Sequence, residues 1–237
     1  MKKHPDSDKR IVIIISTMRS GSTLLKALLA SNPEVSDLPE VDFQKYRHSK
    51  HKSDAVELSD RKIVIMKKPA WFNEIRSYPK LPPFSDLQTI TLIRDVYSTV
   101  MSMRKMMFGP AEKYLRGIGD RFFAETYWAG ITENLLQKHE QSDTRSIFLR
   151  YEDLTDSPVE ETSRLFEFIG TDDTEGVSSY HPPQSRRWRW GKDDASEKIK
   201  SLQVQPLPQP AYENRKLLKI IENSSRIQQL RKRLGYI

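Results

Sequence analysis

Residues 11–30 read IVIIISTMRSGSTLLKALLA, and they carry the strongest fold signal in the chain. The first five are four isoleucines and one valine, a run that is typical of a buried strand in a parallel sheet. After Gly21 the apolar residues recur at helical spacing. A hydroxyl-rich loop joins this strand to this helix. Such a loop is the usual phosphate site of an α/β protein, because the amides of a helix N-terminus point at the anion.

The rest of the chain repeats the alternation of strands and helices. Short apolar runs predict buried strands at 10–15, 62–66, 88–93 and 146–149. Helical patterns lie at 23–30, 71–78, 97–107, 120–140, 157–169 and from Pro210 towards Leu234. In the 120–140 pattern one face carries Phe123, Tyr127, Ile131 and Leu135. This alternation predicts a doubly wound α/β sheet.

Length and composition limit the function classes. The 237 residues suit one domain, 1–237, with a flexible tail at 1–9 and a long loop at 171–209 that could act as a lid. The chain has no cysteine, which excludes disulfides, zinc–thiolate sites and thiol catalysis. No apolar run approaches the roughly 18 residues of a membrane span, and the charged N-terminus lacks a signal-peptide pattern, so we expect a cytoplasmic protein. The net charge of +7 favours an anionic partner: nucleotide, nucleic acid, acidic lipid or sulfated sugar.

The loop after the first strand differs from a nucleoside-triphosphate P-loop, whose pattern is G-x-x-x-x-G-K-[ST]. On that template Ser16 replaces the first glycine and Ser22 replaces the lysine, while Gly21 and Thr23 match. The missing lysine is the residue that reaches the β- and γ-phosphates. Arg19 places a positive charge earlier in the loop instead.

Several features of the loop still favour an anion. Gly21 lets the backbone approach a ligand closely, and the amides of residues 20–23 lie at a helix N-terminus. Hydroxyl donors come from Ser20, Ser22 and Thr23. The alternative is an ordinary strand-to-helix turn with hydroxyl caps, which is common in proteins.

A second segment, TLIRDVYSTVMS at 91–102, places Arg94 and Asp95 just past a predicted strand. Asp95 is a good cap for the following helix, and Ser98 and Ser102 lie four residues apart on one helical face. Arg94 and Ser102 could therefore meet one tetrahedral anion from two sides. In the alternative, Arg94 pairs with Asp95 or another carboxylate at the surface.

Together these segments resemble the 3′-phosphoadenylyl-sulfate (PAPS)-dependent sulfotransferases, in the branch that includes carbohydrate and protein-tyrosine sulfotransferases. Those enzymes carry an R-S-G-[ST]-[TS]-L-L loop, matched by residues 19–25, and an R-D-x₆-S segment, matched by Arg94, Asp95 and Ser102. A Y-E-D-L turn at 151–154 and an LGY ending at 234–236 also match. Val96 departs from the pattern, because the family usually has proline there.

The resemblance implies a three-layer P-loop-like α/β fold, with a central parallel sheet and helices on both faces. It implies transfer of a sulfuryl group from PAPS to an acceptor hydroxyl, with release of the 3′,5′-bisphosphate PAP. The carboxylates of the sequence show no clear metal-ligand spacing, so we expect no metal. The 5′-phosphosulfate would contact Arg19, Ser20, Gly21, Ser22, Thr23 and Leu24. Arg94 and Ser102 would hold the 3′-phosphate, and Arg19 would also stabilise charge on the leaving 5′-phosphate.

Two further catalytic roles follow from the resemblance. Related enzymes often place a glutamate after the first helix, so Glu40 is the expected general base. Other residues that could hold this role are Glu34, Asp37 and Asp42, with His48 and His51 less favoured. A lysine before proline can contact the transferred sulfuryl group in this family, which favours Lys68 over Lys67. A surface pair of lysines is the alternative.

The segment QSRRWRWGKDD at 184–194 mixes cations and aromatic rings. It could close over the nucleotide, with Arg186 or Arg187 on the 3′-phosphate and Trp188 near the adenine or acceptor. It could also be a stacking surface for nucleic acid, or a loop packed by its own tryptophans.

Two other functions remain open at this point. One is a nucleotide kinase or NTPase with a degenerate P-loop, which the missing lysine disfavours. The other is a basic nucleic-acid-binding protein, which would bind oligonucleotides in a salt-dependent way. We expect no nucleic-acid partner and favour a small-molecule, carbohydrate or other hydroxyl-bearing acceptor.

Overall fold

The computed structural model describes residues 9–36, 61–77, 81, 87–115, 117–141, 145–181, 201–207 and 212–237. The strands in this part of the chain are β1 (Arg10–Thr17), β2 (Ile63–Ala70), β3 (Leu87–Ile93) and β4 (Arg145–Arg150). The α-helices are α1 (Ser22–Leu29), α2 (Val96–Phe108), α3 (Ala129–Glu140), α4 (Tyr151–Asp156), α5 (Pro158–Ile169), α6 (Arg215–Asn223) and α7 (Ser225–Arg233). Short 3₁₀-helices occur at Phe72–Glu74 and Gly109–Lys113, and a π-helix at Phe122–Trp128 runs directly into α3.

The four strands form one parallel sheet in the order β2-β1-β3-β4. Along the chain, β2 is added on one side of β1 and β3 is then added on the other. The order therefore reverses between β1 and β3, and ligands of open α/β sheets bind at the carboxyl ends of the strands at such a point. Residues 18–21 follow β1 and Arg94 follows β3, so both predicted phosphate segments begin there.

Apolar side chains cover both faces of the sheet. On one face Ile13 and Ile15 of β1 pack among buried residues of α2, α3, α6 and α7. On the other face Val12 and Ile14 pack against α1 and α5. This double burial explains why the strands read as continuous apolar runs. It also confirms the predicted three-layer α/β architecture.

Two predicted helices differ from the structure. Within 71–77 only Phe72–Glu74 is helical, because the Glu74 carboxylate accepts from the Trp71 amide at 2.7 Å and closes a single tight turn. The C-terminal helix is broken into α6 and α7 at Ser224. The backbone of Ser224 leaves the helical region, and its hydroxyl accepts from the Ile227 amide at the start of α7.

Other elements extend or refine the prediction. β2 continues to Ala70 through Pro69, which an edge strand tolerates because its outer side needs no donor. The predicted Y-E-D-L turn is the short helix α4. No helix in the described ranges combines the length and apolar character needed to cross a bilayer.

Candidate active site

The loop between β1 and α1 has a special backbone. Arg19 has φ 64° and Gly21 has φ 87°, and both angles lie in the left-handed region that residues other than glycine rarely adopt. A Cβ at Gly21 would lie 2.2 Å from Cε2 of Tyr151, so only glycine fits beside this ring. The hydroxyls of Thr17 and Ser20 form a hydrogen bond across the loop. These contacts give the loop a defined shape in which the Arg19 main chain is held in an uncommon conformation.

The first turn of α1 is buried and receives a cation from β2. Ser22, Thr23 and Leu24 are all buried. The ammonium of Lys67 donates to the Thr23 hydroxyl at 2.7 Å. Ser22 stands where a nucleoside-triphosphate P-loop has its lysine, and Lys67 brings a positive charge to the neighbouring residue from another strand.

Lys68 lies on the opposite face of β2, because successive strand residues alternate between faces. Its ammonium is 2.7 Å from each carboxylate oxygen of Glu74, and only 1% of the Lys68 residue surface is exposed. The sequence favoured Lys68 for contact with the sulfuryl group. In the structure the Lys67 ammonium contacts the first turn of α1, next to the predicted phosphate loop, and Lys68 forms a buried ion pair.

The second segment meets the first at Arg94. Its guanidinium donates to the Arg19 carbonyl at 3.3 Å and lies 4.6 Å from the ring centroid of Tyr151. Its Nε is buried and has no hydrogen-bond partner among the described residues. The Arg19 Nε donates to the Ser102 hydroxyl at 3.1 Å. The structure thus brings together Arg19, Arg94 and Ser102, which the sequence assigned to two separate phosphate contacts.

Asp95 is engaged away from the side chain of Arg94. Its carboxylate caps α2 by accepting from the Tyr97 amide at 3.0 Å, and it pairs with Arg231 of α7 at 3.1 Å. The Asp95 amide donates to Glu152 at 3.1 Å, and the Tyr236 hydroxyl donates to the other Glu152 oxygen at 2.8 Å. Burial, the largest cause, raises the pKa of Glu152. The Y-E-D-L motif, through Glu152, and the LGY motif, through Tyr236, therefore meet next to the backbone of Asp95, the residue after Arg94.

Residues 9–182 match the family described as the sulfotransferase domain. The chain belongs to this family. Its members use PAPS as the sulfuryl donor and act on hydroxyl acceptors, so the protein is a PAPS-dependent sulfotransferase. The match favours sulfuryl transfer over the nucleotide kinase.

Solved sulfotransferases share the fold. The sulfotransferase domain of the Synechococcus PCC 7002 olefin synthase has a TM-score of 0.57 at 18% identity, over 92% of this chain and 96% of that one. The sulfotransferase domain from the curacin biosynthetic pathway has a TM-score of 0.52 at 20% identity, over 97% and 98%. Mouse sulfotransferase SULT7A1, solved with PAP, has a TM-score of 0.52 at 14% identity, over 96% and 91%. A search of curated protein sequences found no match.

Several predicted residues of the sulfotransferase lie outside the described part of the chain. They are Glu40, Asp37, Asp42, His48, His51, Arg186, Arg187 and Trp188. Of the alternative bases, Glu34 is described. Its carbonyl accepts from the amide of Ile63, the first residue of β2, and its carboxylate accepts from the Asp172 amide. Glu34 thus lies at the amino end of the sheet, whereas the predicted phosphate loop lies at the carboxyl end, and this separation disfavours Glu34 as the base.

The described residues contain no cluster of histidine and acidic side chains suited to a metal ion. Two residues that contact the predicted phosphate segments were not identified from the sequence. Tyr127 binds the loop after β1 and Trp128 binds the main chain of Arg94. Tyr127 was on the predicted apolar face of 120–140, and no sequence signal pointed to Trp128.

Proposed function

We propose that this sulfotransferase binds PAPS at the reversal point between β1 and β3. The loop at 18–23 would hold the 5′-phosphosulfate, and Arg94 with Ser102 would hold the 3′-phosphate. The convergence of Arg19, Arg94 and Ser102 is the observation that carries the proposal. A buried guanidinium nitrogen without a partner, such as Arg94 Nε, is costly unless an anion binds there.

The proposed reaction is an in-line displacement at sulfur. The acceptor oxygen bonds to sulfur, the bond from sulfur to the 5′-phosphate oxygen breaks, and the electron pair stays on PAP. Arg19 and the amides of residues 20–23 would stabilise the negative charge that grows on the leaving phosphate. The acceptor proton would pass to Glu40, for which Asp37 and Asp42 are alternatives.

Lys67 is a better candidate than Lys68 for contact with the transferring group. Lys67 already reaches Thr23 in the first turn of α1, at the place where the 5′-phosphosulfate would bind. The charge of Lys68 is balanced by Glu74 in a buried pair. The proposed mechanism uses no metal, and Arg19, Lys67 and Arg94 would offset most of the negative charge of the donor.

The segment 171–209 is proposed as a lid over the donor. Its described ends are held together, since the Tyr180 amide donates to the Leu202 carbonyl at 3.0 Å and the Val204 amide donates to the Ser178 carbonyl at 2.8 Å. Tyr180, Leu202 and Val204 belong to the same hydrophobic cluster as Tyr151. The ends of the segment therefore pack in the same layer as Tyr151, whose ring contacts Gly21 of the proposed phosphate loop. Arg186 and Arg187 would then contact the 3′-phosphate.

A small molecule, a carbohydrate or another compound with a hydroxyl group is the proposed acceptor, within one domain over residues 1–237. The cytoplasmic location and the absence of a nucleic-acid partner stay predictions from the sequence.

The donor proposal is tested by thermal unfolding with PAP in the presence of EDTA. A ligand at a hundredfold excess over its Kd stabilises the folded state by about 2.7 kcal/mol. For a chain of this length that corresponds to a rise in Tm of about 5–10 °C. Mg-ATP should give a much smaller shift, because it lacks a 3′-phosphate and the loop lacks the Walker lysine. A larger shift with Mg-ATP than with PAP would contradict the donor site.

A further inference from the structure

The π-helix Phe122–Trp128 lies against both phosphate segments. Helices of this type are rare and occur frequently at functional sites. Ala124, Tyr127 and Trp128 are completely buried. Tyr127 and Trp128 are neighbours in sequence, and each of these two rings carries one polar group. The two polar groups bind the backbones of different phosphate segments.

Tyr127 binds the loop that follows β1. Its hydroxyl accepts from the Met18 amide at 2.7 Å and donates to the Ala70 carbonyl at 2.7 Å. Met18 directly precedes Arg19, whose φ is positive. Burial raises the pKa of the Tyr127 hydroxyl, which keeps its proton and therefore keeps donating to Ala70. The phenol thus ties the start of the loop to the carboxyl end of β2.

Trp128 binds the other segment. Its indole N–H donates to the Arg94 carbonyl at 2.9 Å, and this carbonyl also accepts from the Thr99 hydroxyl at 3.2 Å. The contact fixes the main chain of Arg94 immediately before α2 begins. The direction of the Arg94 side chain depends on this backbone position.

We propose that Tyr127 and Trp128 form a brace, meaning a pair of positioning residues that holds the two phosphate segments at the separation of the 5′- and 3′-groups of the donor. This inference rests on the donor site proposed above. Both contacts are made by uncharged groups to backbone atoms. The brace therefore acts on affinity by placing the Arg19 and Arg94 segments rather than by touching a phosphate.

The brace predicts a crossed pattern of affinities that a general packing role does not. Tyr127→Phe should weaken binding of adenosine 5′-monophosphate and of PAP while sparing adenosine 3′-monophosphate. Trp128→Phe should weaken binding of adenosine 3′-monophosphate and of PAP while sparing the 5′-monophosphate. Each loss should be about three- to tenfold, the range expected for one buried neutral hydrogen bond, measured by titration calorimetry.

Ser146→Ala is the control. It removes a half-buried hydroxyl that is hydrogen-bonded to Nδ1 of His139 at 2.6 Å. Ser146 lies at the amino end of β4, whereas the phosphate segments follow the carboxyl ends of β1 and β3. The variant should lower Tm and leave all three affinities unchanged. Equal effects of Tyr127→Phe and Trp128→Phe on the two monophosphates, or no effect of either, would overturn the brace.

The wild-type protein gives a second test that does not depend on a folded variant. The indole N–H resonance of Trp128 should exchange slowly with solvent and shift when adenosine 3′-monophosphate is added, but not when the 5′-monophosphate is added. Equal shifts with both nucleotides would also overturn the brace. If the wild type bound none of the three nucleotides, the donor site itself would be wrong and the brace would fail with it. If the wild type bound PAP and neither Tyr127→Phe nor Trp128→Phe changed the nucleotide affinities, the brace would be wrong and the donor site would stand.

Discussion

Replacing Gly21 by alanine should destabilise the protein through one identifiable contact, the ring of Tyr151. The new Cβ would lie 2.2 and 2.3 Å from two ring carbons, far inside contact distance. Moving the ring costs about 1–3 kcal/mol, as overpacking of a core does. The left-handed backbone at φ 87° adds about 1–2 kcal/mol for a residue with a Cβ. The free energy of unfolding should therefore fall by about 2–5 kcal/mol.

Thermal and urea unfolding measure this loss, which corresponds to about 4–20 °C in Tm. A double-mutant cycle with Tyr151→Ala separates the two contributions. In the Tyr151→Ala background no ring remains to be displaced, so Gly21→Ala should cost only the backbone term of about 1–2 kcal/mol. Gly109→Ala is the control for backbone strain without a steric clash. Gly109 has φ 52°, and no described atom lies within 4 Å of the position of its added Cβ.

Gly21→Ala should affect ligand binding as well. The Tyr151 ring lies beneath the Arg94 guanidinium, so displacing the ring should also weaken PAP binding. If Gly21→Ala cost as much in the Tyr151→Ala background as in the wild type, the ring contact would not be the cause. The assignment of Gly21 to this close approach would then be refuted.

Three further changes test the donor site. Arg94→Ala should raise the Kd for PAP about tenfold to a hundredfold, as expected for a charge-assisted contact, and should spare adenosine 5′-phosphosulfate, which has no 3′-phosphate; equal losses would contradict the assignment. Lys67→Met should lower kcat by about 10²-fold, whereas Lys68→Met should mainly lower stability by about 3–5 kcal/mol because it leaves Glu74 buried without its partner. If Lys68→Met lowered kcat more than Lys67→Met, Lys68 would be the residue that contacts the sulfuryl group. Glu40→Gln should lower kcat by about 10²–10⁴ without changing the Kd for PAP, and full activity would move the base to another carboxylate.

Much of the fold, and the meeting of Arg19, Arg94 and Ser102, could be predicted from signals in the sequence. The apolar run at 11–15, the single glycine at 21 and the capped helices each follow from short-range rules. The meeting of Arg19 and Arg94 follows from one further rule, that the carboxyl ends of neighbouring parallel strands lie at one edge of the sheet.

The sequence does not hold the information needed to decide whether Lys67 or Lys68 contacts the sulfuryl group. Lys67 and Lys68 are neighbours in a strand that is apolar on both faces, so nothing in the pattern shows which face α1 covers. The roles of Tyr127 and Trp128 were hidden for a different reason. The bond between Tyr127 and Met18 joins residues that are 109 positions apart, and helical periodicity identifies such side chains only as buried.

The missing Walker lysine now has a structural reason. Lys67 brings an ammonium group from β2 to the Thr23 hydroxyl, beside the position of Ser22. A lysine at 22 would place a second ammonium group near the first turn of α1, where the residues are buried. Two like charges in a poorly solvated place repel, and one would lose its proton. A loop that takes its cation from the neighbouring strand therefore favours a small polar residue at position 22. The hydroxyl of Ser22 meets this requirement and leaves the N-terminal amides of α1 available to the proposed phosphosulfate.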